Sequence, residues 1–401
     1  MKTHFAFTRL LVVCAITLLL VACGERDNRP NRTAQPTAPT IAIAPTVAPT
    51  DMPPTSTRPA PTATMIAPTS TPTSLPTVAR APTNTVAPVA DEYKTPNTYQ
   101  TRIFNNYIVR DAKRNRSFAI LVRYPVGAPS PLPLIVWSHG GGFNDNGHRA
   151  YDAWGTILAR AGYAVIHIAH AEDKLDAHCA TLQIPANECE QADFRKEVSE
   201  GGTLGVLWYD RPRDASAVLN DLDNIERAAN LKFDRARIGA AGHSGGTSTV
   251  MSLAGALLDV SPSIHNLYSA DPRFKAFLAN SPQGIGRLGM TKNSWDKITA
   301  PVMITTGTRD NSEGEQARDR LDPFRAMSAP DKYLLYVDSP GATHATFGFN
   351  PDGTRELEVY IGTAGIAFLD AYLRDSATAR AWLNSNGMNV WSNGIAKITA
   401  K

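Results

Sequence analysis

Residues 237–246, with the sequence R-I-G-A-A-G-H-S-G-G, place a serine between glycines in the G-x-S-x-G pattern. Apolar residues before it predict a buried strand, and the apolar run 249–258 after it is compatible with a helix. A strand, a sharp glycine-flanked turn and a helix form the context of a nucleophile elbow. The turn strains the serine backbone towards positive φ, and the helix N-terminus directs N–H groups at the site. The pattern predicts Ser244 as a nucleophile; the alternative is an ordinary turn in a chain with 28 glycines.

A serine hydroxyl needs a base to take its proton and a third group to orient that base. Only His265 and His344 follow Ser244 in the chain. His344 lies in a glycine-containing loop just after an apolar run at 333–337, where a late, loop-borne base is expected. His265 lies in a polar segment typical of a surface position, so we predict that His344 is the base.

The acid should end a strand between the serine and the histidine. The run 302–310 reads as a strand, a glycine turn and then Asp310. Asp338 is the rival, but it is six residues from His344 and would share its loop. We predict Asp310 as the acid.

Negative charge developing on a carbonyl oxygen needs fixed N–H donors. One predicted donor is the backbone N–H of Gly245, at the start of the helix after the nucleophile. The other should come from the glycine loop, residues 137–143, with the sequence W-S-H-G-G-G-F. Gly141 is the first choice there, ahead of its neighbours Gly140 and Gly142. The alternative for this loop is a flexible strand-to-helix turn.

Strand-like and helix-like segments alternate from about residue 91 onward, which predicts an α/β fold with a mostly parallel, doubly wound sheet. Ligands bind such sheets at the carboxyl ends of the strands, where Ser244 is predicted to lie. The predicted strands are 117–124, 133–137, 163–169, 237–241, 274–280, 302–306 and 333–337. The predicted helices are 149–161, 211–229, the run after Ser244, 313–327 and 357–373.

The N-terminal residues are typical of an exported protein. Lys2 and Arg9 precede an apolar run at 10–21, which is too short to span a bilayer and reads as a signal-peptide core. The run ends in L-V-A-C-G, which resembles a bacterial lipobox. We predict that residues 1–22 are a signal peptide, that Cys23 is lipidated, and that the protein is anchored on the extracytoplasmic face of the membrane. The alternative is a plain secretory signal.

Residues 23–90 have the composition of a disordered tether. Fourteen of the 29 prolines lie between residues 30 and 88, and aromatic residues are absent from 25–90. Such a segment cannot bury enough apolar surface to offset its ordering entropy. Residues 91–401 are then the folded domain.

The formal net charge is only +3, without a basic cluster, so no nucleic-acid partner is predicted.

Two cysteines remain beyond the signal, Cys179 and Cys189. Export predicts that they form one disulfide; the alternative is two free thiols. Their spacing is not that of a zinc site, so no metal is predicted. No cofactor is predicted either, because the mechanism expected of the triad needs none.

The motifs H-G-G-G-F, R-P-R-D at 211–214, G-H-S-G-G, T-G-T-R-D and A-T-H together resemble those of the α/β-hydrolase superfamily. The resemblance covers residues 100–375 and is greatest to dienelactone-hydrolase-like and platelet-activating-factor acetylhydrolase-like proteins. It implies an eight-stranded core sheet, a triad of Ser244, Asp310 and His344, and oxyanion donors at Gly141 and Gly245. Dienelactone hydrolases proper use a cysteine nucleophile, so the serine favours an esterase or lipase-like activity.

The sequence therefore predicts a serine hydrolase that cleaves carboxylic esters of small molecules, lipids or polymers through an acyl-enzyme. Within the enzyme class, the alternatives are a peptidase or a polyester depolymerase on the same triad. From another class, the alternative is a catalytically idle binding domain on the cell surface. The sequence predicts no oligomeric state.

Overall fold

The computed structural model describes residues 92–141, 147–170, 208–312, 314–349 and 353–401, with three isolated residues between 171 and 207. Nine strands in this part of the chain form one sheet. They are β1 (Thr101–Asp111), β2 (Arg116–Pro125), β3 (Leu132–Ser138), β4 (Ala164–Ile168), β5 (Phe233–His243), β6 (Phe274–Asn280), β7 (Val302–Gly307), β8 (Lys332–Val337) and β9 (Ala396–Ala400).

The strand order is β1-β2-β4-β3-β5-β6-β7-β8-β9. The six strands from β4 to β8 in that order are parallel, whereas β1 and β2, and β8 and β9, pair antiparallel. Strand β2 is also antiparallel to β4. The α/β class and the mostly parallel sheet are confirmed. The predicted count of eight strands is wrong, because residues 396–400 return along the edge of β8 as a ninth strand.

Helices cover both faces of the sheet. They are α1 (Asp152–Arg160), α2 (Asp210–Asn220), α3 (Leu222–Ala229), α4 (Gly246–Ala254), α5 (Asp322–Ala326), α6 (His344–Gly348), α7 (Arg355–Leu373), α8 (Ala377–Leu383) and α9 (Gly387–Trp391). None of the helices in the described ranges is long and apolar enough to cross a membrane.

Two predicted helices differ from those observed. The single helix predicted over 211–229 is two helices, because the chain leaves helical geometry at Asp221, whose side chain accepts hydrogen bonds from Tyr107 and Asn224. The helix predicted over 313–327 is mainly turns, and only a short 3₁₀ turn at Asp319–Leu321 and α5 are helical. Pro323 lies in the first turn of α5, where its missing N–H is tolerated, so the helix cannot extend far upstream.

The sheet has an apolar cluster on each face. Val218, Val250 and Phe277 belong to one cluster, and Trp154 and Phe368 to the other. This double cover explains why β3 and β4 are apolar without alternation and buried at every position. The rigid sheet fixes where the carboxyl ends of β3, β5, β6 and β7 lie, and the candidate site is built on those ends.

Several predictions lie outside the described residues. These are the signal peptide at 1–22, the lipidated Cys23, the tether at 23–90, the Cys179–Cys189 disulfide, and Gly142.

Candidate active site

Ser244 lies directly after β5 in a sharp turn. Its φ is +52°, a left-handed conformation that is uncommon for a residue with a side chain. The Ser244 N–H donates to the carbonyl of Asn280 on the neighbouring strand β6 at 3.0 Å, which holds the turn on the sheet. A Cβ at Gly242 or Gly246 would collide with the carbonyl of Ser138 at the end of β3. Only glycine permits this approach, so residues 242–246 form the predicted elbow geometry.

The structure brings Ser244, His344 and Asp310 together. His344 Nε2 lies 2.9 Å from Ser244 Oγ, and His344 Nδ1 lies 2.8 Å from Asp310 Oδ1. Ser244 and His344 are partly exposed, and Asp310 is buried. These three residues, called the Ser244 triad below, come from the ends of β5 and β7 and the start of α6.

Asp310 is held from several sides. Thr306 Oγ1 donates to its Oδ2 at 2.7 Å, and Arg320 Nε lies 2.9 Å from its Oδ1. The rival Asp338 instead accepts a hydrogen bond from Thr308 Oγ1 at 2.6 Å. Of the two carboxylates, Asp310 is therefore the one that contacts His344.

A second serine, Ser281, contacts the triad. Its Oγ donates to Asp310 Oδ1 at 2.6 Å and lies 2.7 Å from His344 Nδ1. Ser281 is buried and has a φ of +58° at the end of β6. Sequence reasoning missed this residue. The signal available in the sequence was a serine, followed by a proline, at the end of the predicted strand 274–280.

Sequence reasoning also missed a buried ion pair behind Asp310. The Arg320 guanidinium donates to the carbonyls of Asp310 at 2.7 Å, Ser281 at 3.1 Å and Pro282 at 3.0 Å. It also pairs with Glu315 at 3.1 Å. Burial raises the pKa of Glu315, and the charge of Arg320 opposes that shift. Arg320 thus ties together the chain segments that carry Asp310 and Ser281.

The two predicted oxyanion donors lie in the glycine loop and in the turn into α4. Gly141 is exposed in the glycine loop, and Gly245 begins the turn into α4. A Cβ at Gly140 would lie 3.0 Å from Ser244 Cβ, so the loop runs close beside the nucleophile. A Cβ at Gly140 would also collide with the hydroxyl of Tyr151, so Tyr151 packs against this part of the loop.

His243, which precedes the nucleophile, links the base to Tyr151. Its Nε2 donates to the carbonyl of His344 at 2.9 Å, and its Nδ1 accepts from Tyr151 Oη at 3.1 Å. Burial lowers the pKa of His243 well below its ordinary value, and the nearby His344 lowers it further. A neutral His243 has one donor and one acceptor nitrogen, which matches these two contacts.

The other predicted histidine does not reach the nucleophile. His265 is exposed, with Nδ1 3.0 Å from Asp259 Oδ2 and Nε2 2.9 Å from the Pro262 carbonyl. His139 of the glycine loop is buried, and its Nδ1 lies 2.7 Å from the Gly140 carbonyl. Within the described ranges, no three or more histidine, cysteine, aspartate or glutamate side chains are grouped to hold a metal ion.

Comparison with protein-family models finds no match, and comparison with curated proteins finds none either. The geometry around Ser244 is therefore the evidence from which a function is argued.

Proposed function

We propose that this protein is a serine hydrolase that cleaves carboxylic esters through an acyl-enzyme intermediate. The observation that carries the proposal is the continuous contact from Ser244 Oγ through His344 to Asp310, at 2.9 and 2.8 Å. The positive φ of Ser244 supports it, because strain of this kind is concentrated at functional sites.

In the proposed reaction, Ser244 Oγ attacks the ester carbonyl while His344 Nε2 takes its proton. Asp310 accepts a hydrogen bond from His344 Nδ1–H, which fixes the ring and stabilises its charged form. The N–H groups of Gly141 and Gly245 stabilise the oxyanion. His344 then protonates the leaving alcohol, and a water molecule activated by the same histidine hydrolyses the acyl-enzyme. No cofactor takes part in these steps.

We propose further that the domain has the α/β-hydrolase fold. The support is the strand order, with the antiparallel β2 and the exchange of β3 and β4, together with the nucleophile after β5, the acid after β7 and the base after β8. This is the chain order of serine, acid and histidine typical of that fold.

A labelling experiment tests the proposal. The full chain is treated with an alkyl fluorophosphonate, and the labelled peptide is mapped by mass spectrometry, alongside hydrolysis of p-nitrophenyl acetate and butyrate. We expect a single modification at Ser244 and ester turnover that the label abolishes. Turnover without modification of Ser244 would contradict the mechanism, and absence of both would favour the catalytically idle binding domain. Adding a peptide and a polyester film to the substrate panel tests the peptidase and depolymerase alternatives.

The anchoring and the disulfide remain proposals drawn from the sequence. Mass spectrometry of the mature N-terminus should find lipid-modified Cys23, and an unmodified terminus cut elsewhere would indicate a secreted protein. Alkylation of the denatured, unreduced chain should find no free thiol at Cys179 or Cys189.

A further inference from the structure

The structure contains another serine–histidine–aspartate arrangement, remote in sequence from the first. Ser138 Oγ lies 2.9 Å from His170 Nε2, and His170 Nδ1 lies 3.0 Å from Asp214 Oδ2. These three residues are called the Ser138 triad below. All three are buried.

Ser138 is poorly placed to act as a nucleophile. It is the last residue of β3 and only 3% exposed, so a substrate carbonyl cannot reach its hydroxyl. Its position is nevertheless informative, because it is the residue from which the glycine loop leaves the sheet. Its carbonyl packs against Gly242 and Gly246 of the elbow, and its Oγ lies 3.0 Å from Thr249 Oγ1 on α4. Ser138 therefore contacts the elbow, the helix behind it and the loop.

The aspartate of the Ser138 triad is fixed by charge. Arg114 lies 2.8 Å from Asp214 Oδ1, and Arg116 lies 3.1 Å from its Oδ2. Burial by itself would raise the pKa of Asp214, but the hydrogen bond from His170 and the charges of both arginines lower it overall. Burial lowers the pKa of His170 to about 4, although the hydrogen bond to Asp214 opposes this shift. A neutral His170 thus donates from Nδ1 to Asp214, which leaves Nε2 as the acceptor nitrogen 2.9 Å from Ser138 Oγ.

The start of α2 also holds the loop directly. Arg211 is fully buried and donates to the carbonyl of His139 at 2.6 Å, one residue beyond Ser138. Its guanidinium stacks on the ring of Trp208, 4.3 Å from the ring centroid. That ring lies against Gly245, where a Cβ would collide with it. Trp208 and Arg211 are close in sequence. Together they contact the two segments that carry the predicted oxyanion donors, the glycine loop and the elbow.

We infer that Ser138, His170, Asp214 and Arg211 are positioning residues that hold the glycine loop against the elbow and so set the separation of the two oxyanion donors. The inference rests on the proposed function. It also assigns a role to the R-P-R-D motif at 211–214, which the mechanism of the Ser244 triad does not use. An oxyanion hole stabilises a transition state only when its donors are fixed before the reaction. A displacement of about 1 Å in such a site can cost roughly 10²-fold in rate.

The test compares Ser138→Ala with Ser216→Ala in the full chain. Ser216 is on α2 and its hydroxyl donates to Asp271 Oδ2 at 2.7 Å, so the control also loses a side-chain hydrogen bond of a serine but does not touch the loop. With p-nitrophenyl acetate, we expect Ser138→Ala to lower kcat roughly 10–100-fold at little changed KM, with the shape of the pH–rate profile retained. Ser216→Ala should keep the wild-type kcat.

Arg211→Lys is the second variant, in case Ser138→Ala does not fold. Lysine keeps the charge but lacks the planar group that stacks on Trp208 while donating to the His139 carbonyl. We expect its kcat also to fall by at least about 10-fold.

Hydrogen exchange gives a readout that is independent of turnover. The amides of residues 139–141 should exchange faster in Ser138→Ala and Arg211→Lys than in the wild type or Ser216→Ala. Kinetics and exchange indistinguishable from Ser216→Ala would overturn the inference. A wild-type chain that hydrolyses no ester would refute the proposed function, and the exchange result would then decide the positioning role by itself.

Discussion

The Ser244 triad and the Ser138 triad contain the same three residue types with nearly the same hydrogen-bond lengths. The serine–histidine contact is 2.9 Å in both, and the histidine–aspartate contact is 2.8 Å in one and 3.0 Å in the other. Both aspartates are fully buried and paired with arginine. Hydrogen-bond geometry therefore does not separate an arrangement suited to catalysis from one suited to holding a loop.

Backbone conformation and exposure do separate them. Ser244 has positive φ in a glycine-flanked turn, so its hydroxyl stands clear of the sheet, whereas Ser138 ends the extended strand β3. The side chain of His344 is 23% exposed, and that of His170 is 0% exposed. A catalytic base needs space beside it for the substrate. Its surroundings must also tolerate the positive charge that it gains during the reaction. The turn at Ser244 and the exposure of His344 supply these two conditions, and the hydrogen bonds within the triad do not.

Replacing the two serines should produce the largest contrast. We expect Ser244→Ala to lower kcat roughly 10⁴–10⁶-fold with KM changed far less, because the nucleophile is lost. Ser138→Ala should cost only about 10–100-fold, because the nucleophile remains and only its surroundings shift. Steady-state kinetics with a nitrophenyl ester measures both. Wild-type turnover by Ser244→Ala would contradict the mechanism.

The acid gives the next largest effect. Asp310→Asn removes the charge that orients His344 and stabilises its protonated form, so kcat should fall roughly 10³–10⁴-fold. Asp338→Asn is the matched control, since Asp338 contacts Thr308 instead, and it should stay within about 2-fold of the wild type. If Asp338→Asn were the crippling change, the acid would be misassigned while the hydrolase proposal would stand.

Acid should destabilise the fold through His170. Its pKa falls from an ordinary 6.5 to about 4 on folding, so the unfolded chain binds more protons between those values. The free energy of unfolding should therefore rise with pH over that window, and His170 alone should make it about 3 kcal/mol lower at pH 4 than at pH 7. Urea unfolding from pH 7 to 4 measures it.

Two histidine variants sharpen that measurement. His170→Gln should reduce the slope of the free energy of unfolding against pH, because one of the shifted groups is gone, while the buried His139, His167 and His243 keep their own contributions. His265→Gln is the control for the loss of a histidine, because His265 is exposed and lies outside the Ser138 triad. Equal slopes in wild type and His170→Gln would show that His170 is not held neutral in the fold.

The smallest expected effect is at Ser281. Its hydroxyl touches both Asp310 and His344, so Ser281→Ala should lower kcat roughly 3–10-fold, the worth of one hydrogen bond of about 1 kcal/mol. The control is Ser252→Ala, which removes a buried hydroxyl with no hydrogen-bond partner among the described residues. Equal kcat in the two variants would limit Ser281 to a packing role.

Local patterns in the sequence determined the strands and the turn that carry the Ser244 triad, and their predicted bounds lie within a few residues of those observed. Strand β6 has the bounds predicted for it, and the elbow follows from the context of a strand, a serine flanked by glycines and an apolar run, with an ordinary turn as the alternative. The order of serine, acid and base along the chain narrowed the partners of Ser244 to His344 and Asp310. The hydrophobic period of an element and the residues that favour a turn depend only on neighbouring residues, so a single sequence is enough to recognise them.

Only the tertiary structure decided which distant side chains meet. Ser281, Arg320 and Glu315 reach Asp310, and Ser138, His170 and Asp214 form a second triad, through strands that are adjacent in the sheet or helices packed on it. The ninth strand also depends on such pairing, since residues 396–400 acquire their role only at the edge of β8. Sheet order and packing bring together Ser244 and His344, which are 100 positions apart, and no local periodicity encodes that separation.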